Sequence, residues 1–257
     1  MGALKAGGQI LAFIDDDAYP SITWLSRAVD KMQKKKTRAI CGPGILPPQS
    51  FFWEKTFDEV LKTWVGSGGL SFRFVKAKER YIDDYPSMNF IIEKKLFLKV
   101  GGFGQDYWPG EDSKLCERIV YQEKEKILYS PDVYVYHHRR TSLLPYLKQH
   151  GQYGFHRGAF IAHGDKNSTR LFYFVPTLFL LYFLSLPGLL LLNLFFAVPL
   201  MLYGILMLYT MLSSLKNTKS LIIGLAAGLT LLLMHIWYGF HFIRGIVIGF
   251  VKKERIY

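Results

Sequence analysis

The sequence predicts a soluble α/β domain that continues into membrane helices. Two observations support this fold class. Up to about residue 170, short apolar runs alternate with amphipathic segments, and charges are scattered throughout. From 171 to 251 the only formal charges are Lys216, Lys219 and Arg244, and apolar stretches of about 20 residues are candidates for crossing a bilayer. We therefore expect an α/β domain over residues 1–165 and a membrane region over residues 166–257.

The first element is a short apolar run, residues 9–14, that ends abruptly in Asp15, Asp16 and Asp17. Such a run is typical of a strand buried on both faces of a parallel sheet, and open α/β sheets bind ligands at the carboxyl ends of their strands. Three adjacent carboxylates repel one another, and a cation offsets that repulsion. Because oxygen ligands favour Mg²⁺ or Mn²⁺, we hypothesise that such an ion bridges Asp15 and Asp17 to a diphosphate. The alternative is an acidic turn without a ligand.

Helical spacing predicts the next elements. Ser21 is the expected N-cap of a helix with Ile22, Leu25, Ala28, Val29 and Met32 on its apolar face. A second amphipathic helix places Phe57, Val60, Leu61 and Trp64 on one face. Residues 66–85 have no clear periodicity, and we expect a flexible segment there. A short helix over about 93–100 should end at Gly101 and Gly102.

An acidic pair, Glu111 and Asp112, opens a further helix whose apolar face includes Leu115 and Cys116. Carboxylates in a first turn can simply cap the helix, because the helix dipole and free N–H groups favour them there. The functional alternative is a base: an ionised Asp112 can accept a proton from a hydroxyl, and Trp108 and Gly110 leave room for a ligand.

Two basic segments are candidates for contacts with phosphate or metal. His137, His138, Arg139 and Arg140 follow a predicted strand over 132–136, and residues 152–157, which include Arg157, precede the membrane region. Arginine binds anions with two hydrogen bonds, and histidine can ligate a metal. A solvated basic loop beside a membrane is the alternative.

The formal net charge of +12 fits a membrane protein better than a nucleic-acid-binding one, because many lysines and arginines flank the apolar segments. Residues 171–215 are long enough for two crossings, with a turn near Pro187 or at Asn193, and 221 to about 242 supplies a third. The flanking charge predicts that the α/β domain faces the cytoplasm. Three crossings would put the basic C-terminal cluster outside, although the positive-inside rule expects it inside. Either the last segment lies in the interface or re-enters the membrane, or the number of crossings differs by one.

The ordered motifs resemble glycosyltransferase family 2, whose fold is the Rossmann-like GT-A fold. The motifs are the acidic strand (residues 6–20), two short stretches (87–90 and 100–103), the Gly-Glu-Asp at 110–112 and the strand end at 136–139. The family normally has about one more βαβ unit before the acidic strand, so we expect an N-terminally truncated catalytic domain. A QxxRW signature of processive synthases does not occur, which favours transfer of single sugars.

The resemblance implies an inverting glycosyltransferase at the cytoplasmic face of the cell membrane. Its donor would be a nucleotide-diphosphate sugar, and its acceptor a saccharide or polyprenyl-linked saccharide. Asp15 and Asp17 would bind Mg²⁺ or Mn²⁺ and, with Asp16, the nucleotide. Asp112 would be the general base with Glu111 beside it, and His137, His138, Arg139 or Arg157 would contact phosphate. The alternatives are a non-catalytic membrane-anchored remnant and, less favoured, a phosphatase with an aspartate nucleophile.

Overall fold

The computed structural model describes residues 2–104 and 110–251, which form mixed α/β sheets followed by apolar helices. The strands are β1 (Ile10–Ile14), β2 (Ala18–Pro20), β3 (Ala39–Cys41), β4 (Gly44–Ile45), β5 (Arg80–Ile82), β6 (Asn89–Glu93), β7 (Ile127–Tyr129) and β8 (Val135–His137). The α-helices are α1 (Gly2–Lys5), α2 (Trp24–Lys35), α3 (Phe52–Lys62), α4 (Lys94–Lys99), α5 (Glu111–Glu117), α6 (Leu143–Ala162), α7 (Val175–Leu192), α8 (Val198–Thr218) and α9 (Leu221–Val251). This is the expected fold class, a GT-A-like α/β arrangement with membrane-type helices after it.

The strands form two sheets, and β1 is not the central parallel strand that the sequence predicted. The larger sheet has the order β1-β6-β3-β7-β5, and β1 pairs antiparallel with β6 alone among the described strands. Of its five residues only Leu11 is buried. An edge strand can also be apolar when helices cover part of it. Composition alone therefore could not distinguish a central strand from an edge strand. The smaller sheet, β2-β8-β4, lies at the end of β1.

Helix α2 begins later than predicted, and the face that it buries matches the predicted one only at Ala28 and Met32. Its buried residues are Trp24, Ala28 and Met32, whereas Ile22 and Leu25 are exposed. The buried stripe follows an i, i+4 spacing set by Trp24, whose indole N–H donates to Asn89 Oδ1 at 2.8 Å. This hydrogen bond to β6 fixes the rotation of the helix.

The segment 66–85, expected to be flexible, has regular structure. It contains a 3₁₀ turn at Ser71–Arg73, with Phe72 buried, and the edge strand β5. The prediction for the next element is confirmed. Helix α4 ends before Gly101 and Gly102, whose φ angles of 79° and 64° suit glycine.

Helix α6 was not predicted, and its glycines let it pack closely on α9. A Cβ on Gly154 would lie 2.5 Å from the carbonyl oxygen of Tyr238, and one on Gly245 would lie 1.9 Å from that of Phe155. Such distances require glycine, because a side chain at either position would push the two helices apart. The contact ties α6, which carries His156 and Arg157, to the apolar C-terminal part of the chain.

Three helical segments of the described chain are long and apolar enough to cross a membrane, namely Leu171–Leu192, Leu194–Thr218 and Leu221–Val251. The first two turn at Asn193, which was one of the two predicted positions, while Pro187 lies inside α7. They expose most of their apolar side chains. Helix α9 is more buried, because it packs on α8 and α7 and also on the α/β domain, with Ala227 in a cluster beside α3 and Phe242 in the main core.

Candidate active site

The ends of β1 and β8 bring Asp15, Asp17 and His137 together. Antiparallel pairing of β2 with β8 places His137 opposite Ala18, and the backbone N–H of His138 donates to the Asp17 carbonyl at 3.2 Å. His137 Nε2 lies 2.9 Å from Asp17 Oδ1 and 3.8 Å from Asp15 Oδ2. One ligand atom from each of the three residues lies within 4.8 Å of the other two.

This cluster fits a divalent cation. Burial and the neighbouring carboxylates raise the pKa of Asp15 despite the opposing effect of His137, whereas the hydrogen bond with His137 lowers the pKa of Asp17. A bound cation would favour the ionised form of both groups. The sequence predicted a set of oxygen ligands, which Mg²⁺ prefers. Because this cluster contains an imidazole as well as two carboxylates, it suits Mn²⁺ better than Mg²⁺. Asp16 lines the same surface cavity as these three residues.

The basic residues after His137 are already bound by carboxylates of α3. Arg139 donates through Nη2 to Asp58 Oδ1 at 2.8 Å and to the Gly44 carbonyl at 2.7 Å. His138 Nδ1 lies 2.7 Å from Glu54 Oε1. Their assignment as phosphate contacts remains a prediction, and in this structure they join the strand end to α3. The sequence analysis missed Glu54 and Asp58, although their i, i+4 spacing on an amphipathic helix was a detectable signal.

Asp112 lies in the first turn of α5, as predicted, and has the properties of a general base. Its Oδ1 accepts from the backbone N–H of Ser113 at 2.7 Å, and Glu111 Oε2 accepts from that of Gly110 at 2.8 Å. Burial, followed by the charges of Asp84 and Glu111, raises the pKa of Asp112 to about 6. A carboxylate with this pKa is ionised at neutral pH and more basic than an ordinary aspartate. The predicted neighbour Trp108 lies outside the described residues.

Next to Asp112 a buried ion-pair network joins four elements of the chain. Arg157 on α6 donates to Asp84 and, at 3.1 Å, to Ser113 Oγ, while Arg73 Nη2 donates to Asp84 Oδ2 at 3.0 Å. Although burial opposes it, the attraction of Arg157 and Arg73 lowers the pKa of Asp84. The network fixes the start of α5 and hence Asp112. The sequence analysis singled out Arg157 but not Asp84 or Arg73, since no local pattern distinguishes them.

The cation cluster, the candidate base and the ion-pair network around Asp84 line one cavity of about 710 Å³. Asp15, Asp17 and His137 contribute to its wall together with Glu111 and Asp112. The charge of Glu111 contributes to the raised pKa of Asp15, so the two acidic sites interact electrostatically. The structure thus brings together the cation cluster and the candidate base that the sequence placed about 95 residues apart.

Residues 1–101 match the family profile described as Glycosyl transferase family 2. This segment is therefore similar to glycosyltransferase family 2 domains. The matched range includes Asp15 and Asp17, and the resemblance drawn from the motifs is confirmed. Asp112 and His137 lie beyond the matched range, so their assignment depends on the geometry described above.

The chain is also similar to the glucosyl-dolichyl phosphate glucuronosyltransferase of Haloferax volcanii. The two are 25% identical over 153 residues, an alignment that covers 53% of this chain and 45% of the relative. The chain therefore matches less than half the length of that curated relative. The relative's name describes a glycosyltransferase acting on a lipid-linked sugar, which agrees at a coarse level with a family 2 domain beside apolar helices.

Proposed function

We propose that this protein is an inverting glycosyltransferase that moves a sugar from a nucleotide-diphosphate sugar to a hydroxyl of a lipid-linked saccharide. The observation that carries the proposal is the shared cavity, which has a cation cluster at Asp15, Asp17 and His137 and a basic carboxylate at Asp112. Direct displacement needs both parts: stabilisation of the leaving diphosphate and removal of the acceptor proton on the opposite side of the anomeric carbon.

Each part has a defined task in the reaction. Asp15, Asp17 and His137 would hold Mn²⁺ or Mg²⁺, which supplies positive charge for the diphosphate oxygens. Asp112 accepts the proton of the attacking acceptor hydroxyl, and its raised pKa gives it the necessary basicity. Asp84, Arg73 and Arg157 hold the start of α5 through Ser113 and thereby position Asp112.

A lipid-linked acceptor is supported by the surroundings of the cavity. Its wall continues from Asp112 to Phe172 and Val175, at the beginning of the first apolar segment, and to Met234 on α9. An acceptor embedded in a membrane would reach the acidic groups along this wall without leaving the bilayer surface. The relative's acceptor, as its name states, is a glucosyl-dolichyl phosphate, and we propose the same class here.

For the membrane, we propose that α7 and α8 cross as a hairpin and that α9 lies in the interface. A helix that crossed the bilayer could not touch the α/β domain over its whole length. Yet Ala227 packs with Phe57 on α3, and a Cβ on Gly249 would lie 2.8 Å from the Cβ of Ala162 on α6. Between these positions α9 extends roughly 33 Å at 1.5 Å per residue, about the thickness of the hydrocarbon core.

This placement also agrees with the charges. The hairpin has Lys166 and Arg170 before it and Lys216 and Lys219 after it, all at the end near the α/β domain, while its turn at residues 193–197 is uncharged. Asn217 donates to Glu59 Oε2 on α3 at 2.7 Å, which holds that end beside the domain. By the positive-inside rule the α/β domain would face the cytoplasm.

The activity is tested by measuring transfer from nucleotide-activated sugars, beginning with activated glucuronic acid, to polyprenyl-linked glucose in detergent or nanodiscs. The double variant Asp15→Asn/Asp17→Asn should lose both transfer and Mn²⁺-dependent binding of nucleoside diphosphate. The control Asp30→Asn, an aspartate on α2 that pairs with Lys34, should retain both. Transfer by the double variant at the parental rate would refute the role of the cluster.

The same assay separates the alternatives. A non-catalytic remnant that lacks the donor pocket would neither bind nucleoside diphosphate with Mn²⁺ nor transfer sugar. A phosphatase would release phosphate from simple phosphate esters without any nucleotide sugar.

The membrane placement is tested with single cysteines, since the native Cys41 and Cys116 are both buried. Leu194→Cys lies in the hairpin turn, Lys219→Cys lies at the α8–α9 connection, and Val251→Cys lies at the end of α9. In intact cells a membrane-impermeant maleimide should label only the first, and in inverted vesicles only the other two. Labelling of the α9 end from outside would show that α9 crosses.

A further inference from the structure

The cavity wall next to Asp112 contains two largely buried arginines. Arg73 and Arg157 both donate to the single carboxylate of Asp84. The three side chains are only 13%, 12% and 1% exposed, respectively. Two guanidinium groups thus share one carboxylate within this trio, and the carboxylates of Asp112 and Glu111 line the same cavity.

Three buried polar atoms around these arginines have no hydrogen-bond partner in the part of the chain that the structure describes. They are Arg73 Nε, Tyr173 Oη and Tyr238 Oη. The guanidinium of Arg157 lies 4.8 Å above the ring of Tyr173, a side chain that is 7% exposed. All of these residues line the cavity. Unpaired buried polar atoms are rare in folded proteins, and three of them beside two arginines on one cavity wall indicate a ligand that accepts hydrogen bonds.

The position of this cluster favours a ligand with an anionic head and an apolar tail. Arg157 is close enough to Asp112 to act on the pKa of that carboxyl, so the cluster adjoins the candidate base. Tyr173 ends the 3₁₀ turn that leads into α7, and Tyr238 belongs to α9. Leu171 and Val175 line the cavity beside Tyr173 and are 71% and 45% exposed, which gives an apolar wall at the membrane side.

We propose that Arg73, Arg157, Tyr173 and Tyr238 form a binding subsite for the phosphate of the lipid-linked acceptor. This subsite rests on the proposed function and adds to it the group that recognises the acceptor. It is separate from the donor diphosphate position assigned to Asp15 and Asp17. The two tyrosine hydroxyls and Arg73 Nε donate to phosphate oxygens, and the arginine pair supplies the compensating charge.

The test uses hydroxyl deletions, because removing either arginine would leave Asp84 poorly paired and could unfold the protein. The double variant Tyr173→Phe/Tyr238→Phe keeps both rings and removes only hydroxyls that have no partner among the described residues. Tyr203→Phe is the matched control, since its hydroxyl is bonded to His235 at 3.0 Å in the same helical bundle. The probes are farnesyl phosphate, the uncharged alcohol farnesol, and UDP with Mn²⁺, each measured by equilibrium binding to the full 257-residue chain in nanodiscs.

We expect the parent chain to bind farnesyl phosphate more tightly than farnesol. The double variant should bind farnesyl phosphate about 10²- to 10⁴-fold more weakly, because each of the two lost hydrogen bonds is to a charged group. Its affinity for farnesol and UDP should be unchanged, and Tyr203→Phe should bind all three probes as the parent does. Unchanged phosphate affinity in the double variant would overturn the subsite, as would an equal loss for phosphate and alcohol. A loss confined to UDP would assign the cluster to the donor and would also overturn the proposal.

The outcomes distinguish this subsite from the proposed function. If the parent transfers sugar to a lipid-linked acceptor but the double variant binds farnesyl phosphate normally, only the subsite is wrong. If the parent transfers no sugar while the double variant loses phosphate affinity selectively, the subsite stands and the proposed transfer is wrong.

Discussion

Replacing Asp112 with asparagine should make the protein more stable while it abolishes sugar transfer. Burial and two neighbouring carboxylates raise the pKa of Asp112 from 3.8 to about 6. A raised pKa means that the folded state binds the proton more tightly than the unfolded state does. The contribution of protonated Asp112 to the stability of the fold is therefore fully present below pH 3.8 and is lost as the pH rises through 6.

The magnitude follows from the size of this shift. At 1.36 kcal/mol per pKa unit, the ionised carboxylate lowers the free energy of unfolding by up to about 3 kcal/mol at pH 8 and by about 0.5 kcal/mol at pH 4. Because the side chain is partly exposed, solvent screening reduces the larger value to roughly 1–2 kcal/mol. Asparagine has nearly the same size and no charge, so Asp112→Asn should recover this amount at pH 8 and almost nothing at pH 4.

The assay is thermal unfolding of both proteins in one detergent at several pH values, together with the transfer rate. The variant should melt a few degrees above the parent at pH 8, with the difference vanishing towards pH 4. Its transfer rate should fall by about 10²- to 10⁴-fold, the usual contribution of a general base. Glu117→Gln, the same chemical change on the same helix away from the cavity, should retain transfer. A variant less stable than the parent at pH 8, or one that transfers normally, would refute this assignment.

Three further predictions concern the groups around the site. His137→Ala should weaken Mn²⁺ binding, measured by calorimetry without nucleotide, by at least about tenfold, because the loss of a direct ligand should weaken binding no less than the loss of an outer-shell residue. Unchanged Mn²⁺ affinity would show that His137 is not a ligand of the cation. Arg139→Met should cost about 1–3 kcal/mol in denaturant unfolding, because it removes a charged hydrogen-bond donor from buried Asp58, whose ion pair with Lys62 remains. The exposed Arg140→Met should cost almost nothing, and equal costs would contradict the assigned role of the pair. Gly245→Leu should prevent α6 from packing on α9, because the new side chain would collide with a backbone carbonyl of α6. A melting temperature equal to that of the parent would contradict the close approach of the two helices.

Several features could be predicted because neighbouring residues decide them. The glycines at 101 and 102 end α4 by their own conformational freedom, and Glu111 with Asp112 marks the first turn of α5. The apolar composition after residue 170 predicts membrane-type helices without reference to the rest of the chain. The position of β1 was wrong because an apolar run does not reveal how many neighbours a strand has.

The sequence by itself thus determined the fold class, the acidic strand end, the candidate base and the apolar helices, since each depends on residues close together in the chain. Only the tertiary structure decided which distant side chains meet. His137 reaches Asp17 across 120 positions, and Asp84 joins Arg157 across 73. It also decided that α9, as apolar as a crossing helix, packs on the α/β domain, because burial depends on which surfaces the whole chain brings together.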